Sequence, residues 1–229
     1  MHIGLVGGIG VAATVTYYQR LTAAVAAHGA GPLALTIVHG DIHELIRNNL
    51  ADRRAEQARA FLPLVERLKA AGCDCGALTS LGAHFCFDEL AALSPLPLVS
   101  ALAPLDSYFS GRGIRRIGLL GTRAVMRTRL YGKLARTEAL ALDGEMELIG
   151  QTYQDVAAAC SATQRALFLD AGRRLTEAGA EAIVLAGTDL NLAFEGQSPG
   201  YEVIDALDVH VALLADLALN RISLADVTA

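Results

Sequence analysis

Tryptophan is absent from the 229 residues, aromatic side chains make up 5% and charged ones only 19%. With charges so sparse and 53% of residues hydrophobic, the chain can bury a sizeable core, which excludes intrinsic disorder. Basic residues are also in deficit, 19 Lys and Arg against 24 Asp and Glu for a net charge of -5, and they are scattered. Both the footprint of a nucleic-acid binder and a polybasic membrane patch are therefore missing. Long apolar runs are missing too. Mean hydropathy is +0.38, but the surplus is mostly alanine, and charged residues interrupt every apolar stretch before the roughly 18 residues that a membrane span needs. The N-terminal Met1-His2-Ile3-Gly4-Leu5-Val6-Gly7-Gly8 runs straight into a strand-like segment without the basic flank and apolar core of a secretory leader, so a cytoplasmic protein is expected. There Cys73, Cys75, Cys86 and Cys160 are expected as reduced thiols. Cys73-x-Cys75 with His84-x-Cys86 lacks a typical zinc spacing, and no metal site is expected.

What is present is alternation. Short β-branched or leucine-rich runs predict strands at Ile3 to Val6, Ala34 to Val38, Gly76 to Thr79, Leu98 to Ser100, Ile117 to Leu120 and Ile183 to Ala186. Between and after them, helical patterns cover Ala12 to Ala27, Arg54 to Ala70, Arg129 to Ala139, Gln164 to Ala178 and Asp205 to Asn220. In the second helix Ala58, Phe61, Leu62, Val65 and Leu68 form one stripe, and Pro63 inside it is a potential kink. The order predicts an α/β fold with mainly parallel sheets.

The chain also repeats itself. Laid on Gly118 to Ala135 at an offset of 114, the segment Gly4 to Leu21 aligns Gly4, Leu5, Gly7, Thr14 and Tyr17 with Gly118, Leu119, Gly121, Thr128 and Tyr131. At an offset of 107, Glu66 to Phe87 falls on Arg173 to Phe194. Two pseudosymmetric, doubly wound lobes follow, residues 1–97 and 98–204, with a C-terminal helix in 205–229 returning to the first. Because open α/β sheets bind ligands at the carboxyl ends of their strands, an active-site cleft is expected between the lobes, formed by Gly7 to Thr14, Ser80 to His84, Gly121 to Thr128 and Gly187 to Leu190. The second offset makes Ser80 the counterpart of Gly187.

Each loop offers a particular chemistry. In the first, a strand, a glycine turn and a helix start aim free backbone N–H groups at an anion. Its Gly8-x-Gly10-x-x-Ala13 matches a dinucleotide fingerprint only loosely, because the acidic residue expected about 20 positions on is missing. Ser80 stands at a predicted helix N-terminus, where it could hold a carboxylate or cap the helix. As a nucleophile it would need a partner, and His84 is the nearest. Thr188 is a hydroxyl donor, and Asp189 an orienting group, a base or a helix cap. His210, five residues after Asp205, is a candidate acid or base, although a lone histidine in an apolar helix is more often structural. His39 and His43, flanking Asp41, also lie at a strand's carboxyl end.

Taken together, Gly4-Leu5-Val6-Gly7-Gly8-Ile9-Gly10 with Ala13-Thr14 and Tyr17-Tyr18, Gly118-Leu119-Leu120-Gly121-Thr122 with Met126 and Tyr131, and Ile204-Asp205 with His210 resemble the aspartate/glutamate racemase family over nearly the whole chain. The resemblance implies two pseudosymmetric lobes, no cofactor, a small carboxylate or amino-acid ligand, and is compatible with a homodimer. In that family two cysteines face each other across the substrate, one thiolate removing the α-proton and the other thiol returning it. Here Ser80-Leu81-Gly82-Ala83-His84 stands in place of Cys-Asn-Thr-x-His, and Ala186-Gly187-Thr188-Asp189 in place of Gly-Cys-Thr-Glu. A thiol titrates near pH 8.5, whereas an aliphatic hydroxyl lies far higher and glycine has no side chain, so two-thiol racemisation is expected to be absent. Ser80, His84, Asp189 and His210 are the expected catalytic residues. Gly7, Gly8, Thr14, Leu81, Gly82, Thr122, Gly187 and Thr188 are expected to bind the ligand. The expected activity is an isomerase or lyase reaction. A binding or regulatory protein, and racemisation through His84 or Cys86, are the alternatives.

Overall fold

The computed structural model describes residues 1–28, 31–156 and 160–227; the end of the expected returning segment, 228–229, lies outside them. The chain forms two compact units, Met1–Ala103 with Asp208–Ala229, and Pro104–Leu207. In the first, the order is β1 (Ile3–Gly7), α1 (Val11–Ala26), β2 (Leu35–His39), α2 (Ile42–Leu50), α3 (Arg54–Ala70), β3 (Cys75–Leu78), α4 (Phe87–Leu93) and β4 (Leu98–Val99). Its sheet is parallel throughout, in the order β2-β1-β3-β4. The central strands β1 and β3 are buried at every position, which is why their sequences are continuous apolar runs rather than alternating ones. From α3, Ala58, Phe61, Val65 and Leu68 are buried together with Gln57, whose Oε1 accepts from Nδ2 of the equally buried Asn48 at 2.9 Å. The helix continues through Pro63. Pro63 and Arg59 lie on its exposed side, where water can serve the carbonyl that the missing N–H leaves free.

The second unit runs α5 (Leu105–Gly111), β5 (Arg116–Gly121), α6 (Arg123–Arg127), β6 (Glu138–Leu140), α7 (Met146–Val156), α8 (Ala162–Glu177), β7 (Ala182–Ala186), α9 (Asn191–Phe194) and β8 (Val203–Asp205). Its parallel sheet has the matching order β6-β5-β7-β8. The final helix, α10 (Ala206–Ala218), begins at the boundary and lies mostly in the first unit. The repeat is visible in the register: Ile3 sits opposite Cys75 in one sheet and Ile117 opposite Ala182 in the other, the same pair under both offsets. It fades beyond the strands. Thr14 and Tyr17 belong to the 16-residue α1, whereas Thr128 ends a five-residue helix and Tyr131 is left-handed.

One expected helix does not form. Within Arg129 to Ala139, Arg129, Leu130 and Tyr131 take φ of 50°, 57° and 57°, and a single 3-10 turn, Leu130–Gly132, is all that coils. The cause is tertiary. The buried carboxylate of Asp106 accepts from the amides of Arg136 at 3.2 Å and Thr137 at 3.1 Å, drawing the segment out so that β6 pairs with β5. Several short elements lay outside the sequence reading: α2, α4, α5, α7 and the edge strand β8. No described helix is long and apolar enough to cross a membrane.

Candidate active site

Parallel strands deliver their loops to one end of the sheet, so in each unit the polar residues of interest follow the carboxyl ends of the two central strands. After β1, Gly8 turns the chain with φ of 80°, and a Cβ there would come within 2.6 Å of Cε1 of His39. Glycine is therefore required twice over, by backbone and by neighbour. Thr14, from the first turns of α1, closes the loop: its Oγ1 accepts the Gly8 N–H at 3.0 Å and donates to the Gly10 carbonyl at 2.8 Å. It also lies 3.3 Å from Oγ1 of Thr79, which donates to the Val6 carbonyl at 3.1 Å. Thr14 is thus part of the loop's own fastening. Asp41 caps α2 by accepting the His43 N–H at 2.7 Å, and His43 is exposed.

After β3, Leu81–Cys86 forms a 3-10 helix whose start is Ser80, without a side-chain cap bond. The Ser80 hydroxyl makes no hydrogen bond among the described residues, and the residue is 8% exposed. Its expected partner approaches differently. His84 Nε2 accepts the Ala101 N–H at 3.0 Å, which leaves Nδ1 as the protonated nitrogen, donating to the Ser80 carbonyl at 2.8 Å rather than to its hydroxyl. Burial drives the His84 pKa down to about 4, against the opposing pull of the Ser80 carbonyl and Asp88. A neutral ring with both nitrogens taken, stacked on Phe87 at 5.1 Å, clamps the Ser80 turn. Leu81 is fully buried, and the Gly82 carbonyl accepts from Nδ2 of Asn49 at 3.1 Å.

His210 is also fully buried. Its Nδ1 pairs with the Tyr17 hydroxyl at 2.8 Å, and burial, then the neighbouring His84, lower its pKa to about 3, against the Val99 carbonyl. It reaches no open surface. The thiols of this unit are buried as well. Burial pushes Cys86 up to about 12, with Glu89 adding to it, and Cys75 up to about 11, with Asp74 adding to it. Neither holds an appreciable thiolate at neutral pH.

In the second unit, Thr122 caps α6 by accepting the Val125 N–H at 3.3 Å. After β7, Thr188 and Asp189 are buried, and Oδ2 of Asp189 accepts the Tyr153 hydroxyl at 3.1 Å. Tyr153 comes from α7 and stands against Gly187. Burial, and next the charge of Asp189, raise the phenol well above its ordinary pKa, so it stays protonated. Nothing in the sequence marked Tyr153, Asn49 or the hydroxyl contacts of Thr79, since each acts through a contact distant in the chain. Among the described residues no group of three or more His, Cys, Asp or Glu side chains could hold a metal ion. A cavity of about 250 Å³ in the first unit, lined in part by Met1, Val25, Pro32 and Leu219, sits by the amino ends of β1 and β2, away from these loops.

Three solved structures share this architecture. A Yersinia pestis protein provisionally described as an Asp/Glu racemase is 26% identical with a TM-score of 0.81, covering 96% of this chain and 100% of its own. The aspartate racemase of Picrophilus torridus is 18% identical with a TM-score of 0.80, over 95% of this chain and 94% of its own. An aspartate racemase homologue from Pyrococcus horikoshii OT3 is 23% identical with a TM-score of 0.74, over 95% and 99%. The likeness of the last two is one of fold. Sequence carries the assignment further: the pattern described as Asp/Glu/Hydantoin racemase matches residues 6–214, through both sheets and into α10, and the chain belongs to that family.

Proposed function

We propose that this chain is a racemase-family enzyme that acts on a small amino acid or carboxylate without a cofactor and without proton exchange between two thiols. One observation carries the reading: the loops after β3 and β7 present Ser80 and Gly187, and no cysteine lies in either. Cys86, nearest in sequence to the first loop, is a buried thiol whose Sγ donates to the Ala83 carbonyl at 3.4 Å. The groups left are a serine hydroxyl free of internal hydrogen bonds, the Asp189 carboxylate, and loops fastened by Thr14, Thr122 and His84. His84 and His210 then act as positioning residues, since both are held neutral and internal. Such a set suits isomerisation, elimination or decarboxylation at a carbon next to a carboxylate. The same reading carries a cytoplasmic location and admits a homodimer, which light scattering tests.

The test uses purified, EDTA-treated protein with aspartate, glutamate and a panel of related dicarboxylates in D2O, followed by NMR. Turnover that survives Cys86→Ala and falls at least 100-fold in Ser80→Ala is expected. Turnover abolished by Cys86→Ala would overturn the thiol-free reading. The internal saturation of Thr14 and His84 favours a second reading, a protein that binds a small acid without turning it over. It predicts a ligand-induced rise in Tm with no product from any member of the panel.

A further inference from the structure

The loop after β7 is built around a ring that comes from elsewhere in the unit. A Cβ on Gly187 would run into Cε2 of Tyr153 and lie 2.9 Å from Cζ and 3.0 Å from Cδ2, closer than side chains pack. The ring has little room to give. Tyr153 is 8% exposed, and its hydroxyl is fixed on Oδ2 of Asp189 at 3.1 Å, two residues beyond Gly187. We propose that Tyr153 occupies the place of the side chain that position 187 lacks, so that this loop acts through a phenol held by Asp189 and cannot accept a thiol while the ring is present. The inference rests on the reading of the chain as a thiol-free member of its family.

The chemistry differs from that of a thiol in kind. A phenol kept protonated by burial and by Asp189 neither removes an α-proton nor gives one up readily at neutral pH. It donates a hydrogen bond. A ligand carboxylate or enediolate oxygen that reached the loop would accept that bond in place of Asp189. No bond is made or broken in this exchange. Tyr153 thereby selects for ligands that present an anionic oxygen, and Gly187 is glycine because of Tyr153.

A double-mutant cycle without ligand tests the placement. Gly187→Cys alone is expected to lower Tm by on the order of 5 °C through overpacking. In a Tyr153→Ala background the same change is expected to be neutral or to raise Tm, because the thiol fills the space left by the ring. Should Tyr153→Ala not fold, Tyr153→Leu with Gly187→Ala runs the same cycle with smaller changes. An equal loss from the change at 187 in both backgrounds overturns the proposal. The phenol is tested separately with 10 mM L-aspartate or L-glutamate. Tyr153→Phe keeps the ring, and should keep the penalty at 187 while removing any ligand-induced rise in Tm seen in the unmodified protein. A rise undiminished in Tyr153→Phe overturns the hydroxyl's part. If the unmodified protein responds to neither ligand, the fault lies with the choice of substrate class, and the cycle still decides the placement.

Discussion

The two units lay down the same sheet order and the same central register, but they manage polarity by different means. All six histidines, at positions 2, 28, 39, 43, 84 and 210, belong to the first unit, and the two buried ones are neutral and bonded to backbone or to Tyr17. The second unit contains none. Among the described residues it is richer in arginine–carboxylate pairs, among them Arg112–Glu202, Arg116–Glu138, Arg123–Glu147, Arg129–Asp143, Arg136–Asp106 and Arg174–Glu145, against Arg20–Asp208, Arg54–Asp52 and Arg221–Asp216 in the first. What the repeat preserves is the apolar strand and its neighbour, because a one-sided change there would cost a core. Caps, clamps and surface pairs are local, and each unit has found its own.

Acid should separate the units most clearly. His84 and His210 have folded pKa values near 4 and 3, below the unfolded value of about 6.5, so the unfolded chain binds more protons between these limits. Their stabilisation is complete above about pH 6.5 and declines as pH falls, by about 2 kcal/mol for each ring on reaching pH 5. Asp106 works lower. Burial raises its pKa, but the hydrogen bonds from Thr137 and Arg136 outweigh this and leave it below 3.8, so its contribution persists at pH 5 and declines only at more acid pH. Hydrogen exchange at pH 6.5 and 5 is expected to show protection lost in α1 and α10 while β5 and β7 keep theirs. Parallel loss in both units would erase the distinction.

Single substitutions sharpen it. His84→Ala leaves the Ala101 N–H and the Ser80 carbonyl without partners and opens a cavity, a loss of about 3 kcal/mol measured by urea unfolding. Asp106→Asn removes one of two acceptor oxygens beneath Arg136 and Thr137. The expected cost is about 1–2 kcal/mol, with amides of Glu138–Leu140 exchanging first. Smallest is the response to salt. Because the arginine pairs of the second unit are largely exposed, 1 M NaCl should reduce its stability by less than about 1 kcal/mol, and that of the first unit, where the described pairs are Arg20–Asp208, Arg54–Asp52 and Arg221–Asp216, by less still.

The strands were legible because a buried parallel strand is its own signal: Ile3 to Val6 and Ile183 to Ala186 are apolar at every position and bounded by turns. The stripe in α3 was equally plain, apart from Leu62, which is only half-buried, and Gln57, whose burial depends on Asn48 across a turn. Arg129 to Ala139 could not be read correctly, since its helical composition yields to an acceptor 30 residues away. In the candidate site, Ser80, Gly187 and Asp189 announced themselves through the repeat and the family motifs. The bond between His84 and the Ser80 carbonyl did not, because spacing places two residues near each other without saying which atoms meet. Tyr153 was beyond reach for the same reason as Asp106: its partner lies in another element.

The first unit is interrupted in sequence, leaving after Ala103 and resuming at Asp208. As the chain leaves the ribosome, Tyr17 is made long before the ring it bonds in α10, whereas everything from Pro104 to Leu207 arrives in one stretch. The stretch from Pro104 to Leu207 can thus complete its native contacts first, and the sheet of the first unit must wait for α10. Truncation before α10 would therefore damage the beginning of the protein more than its middle.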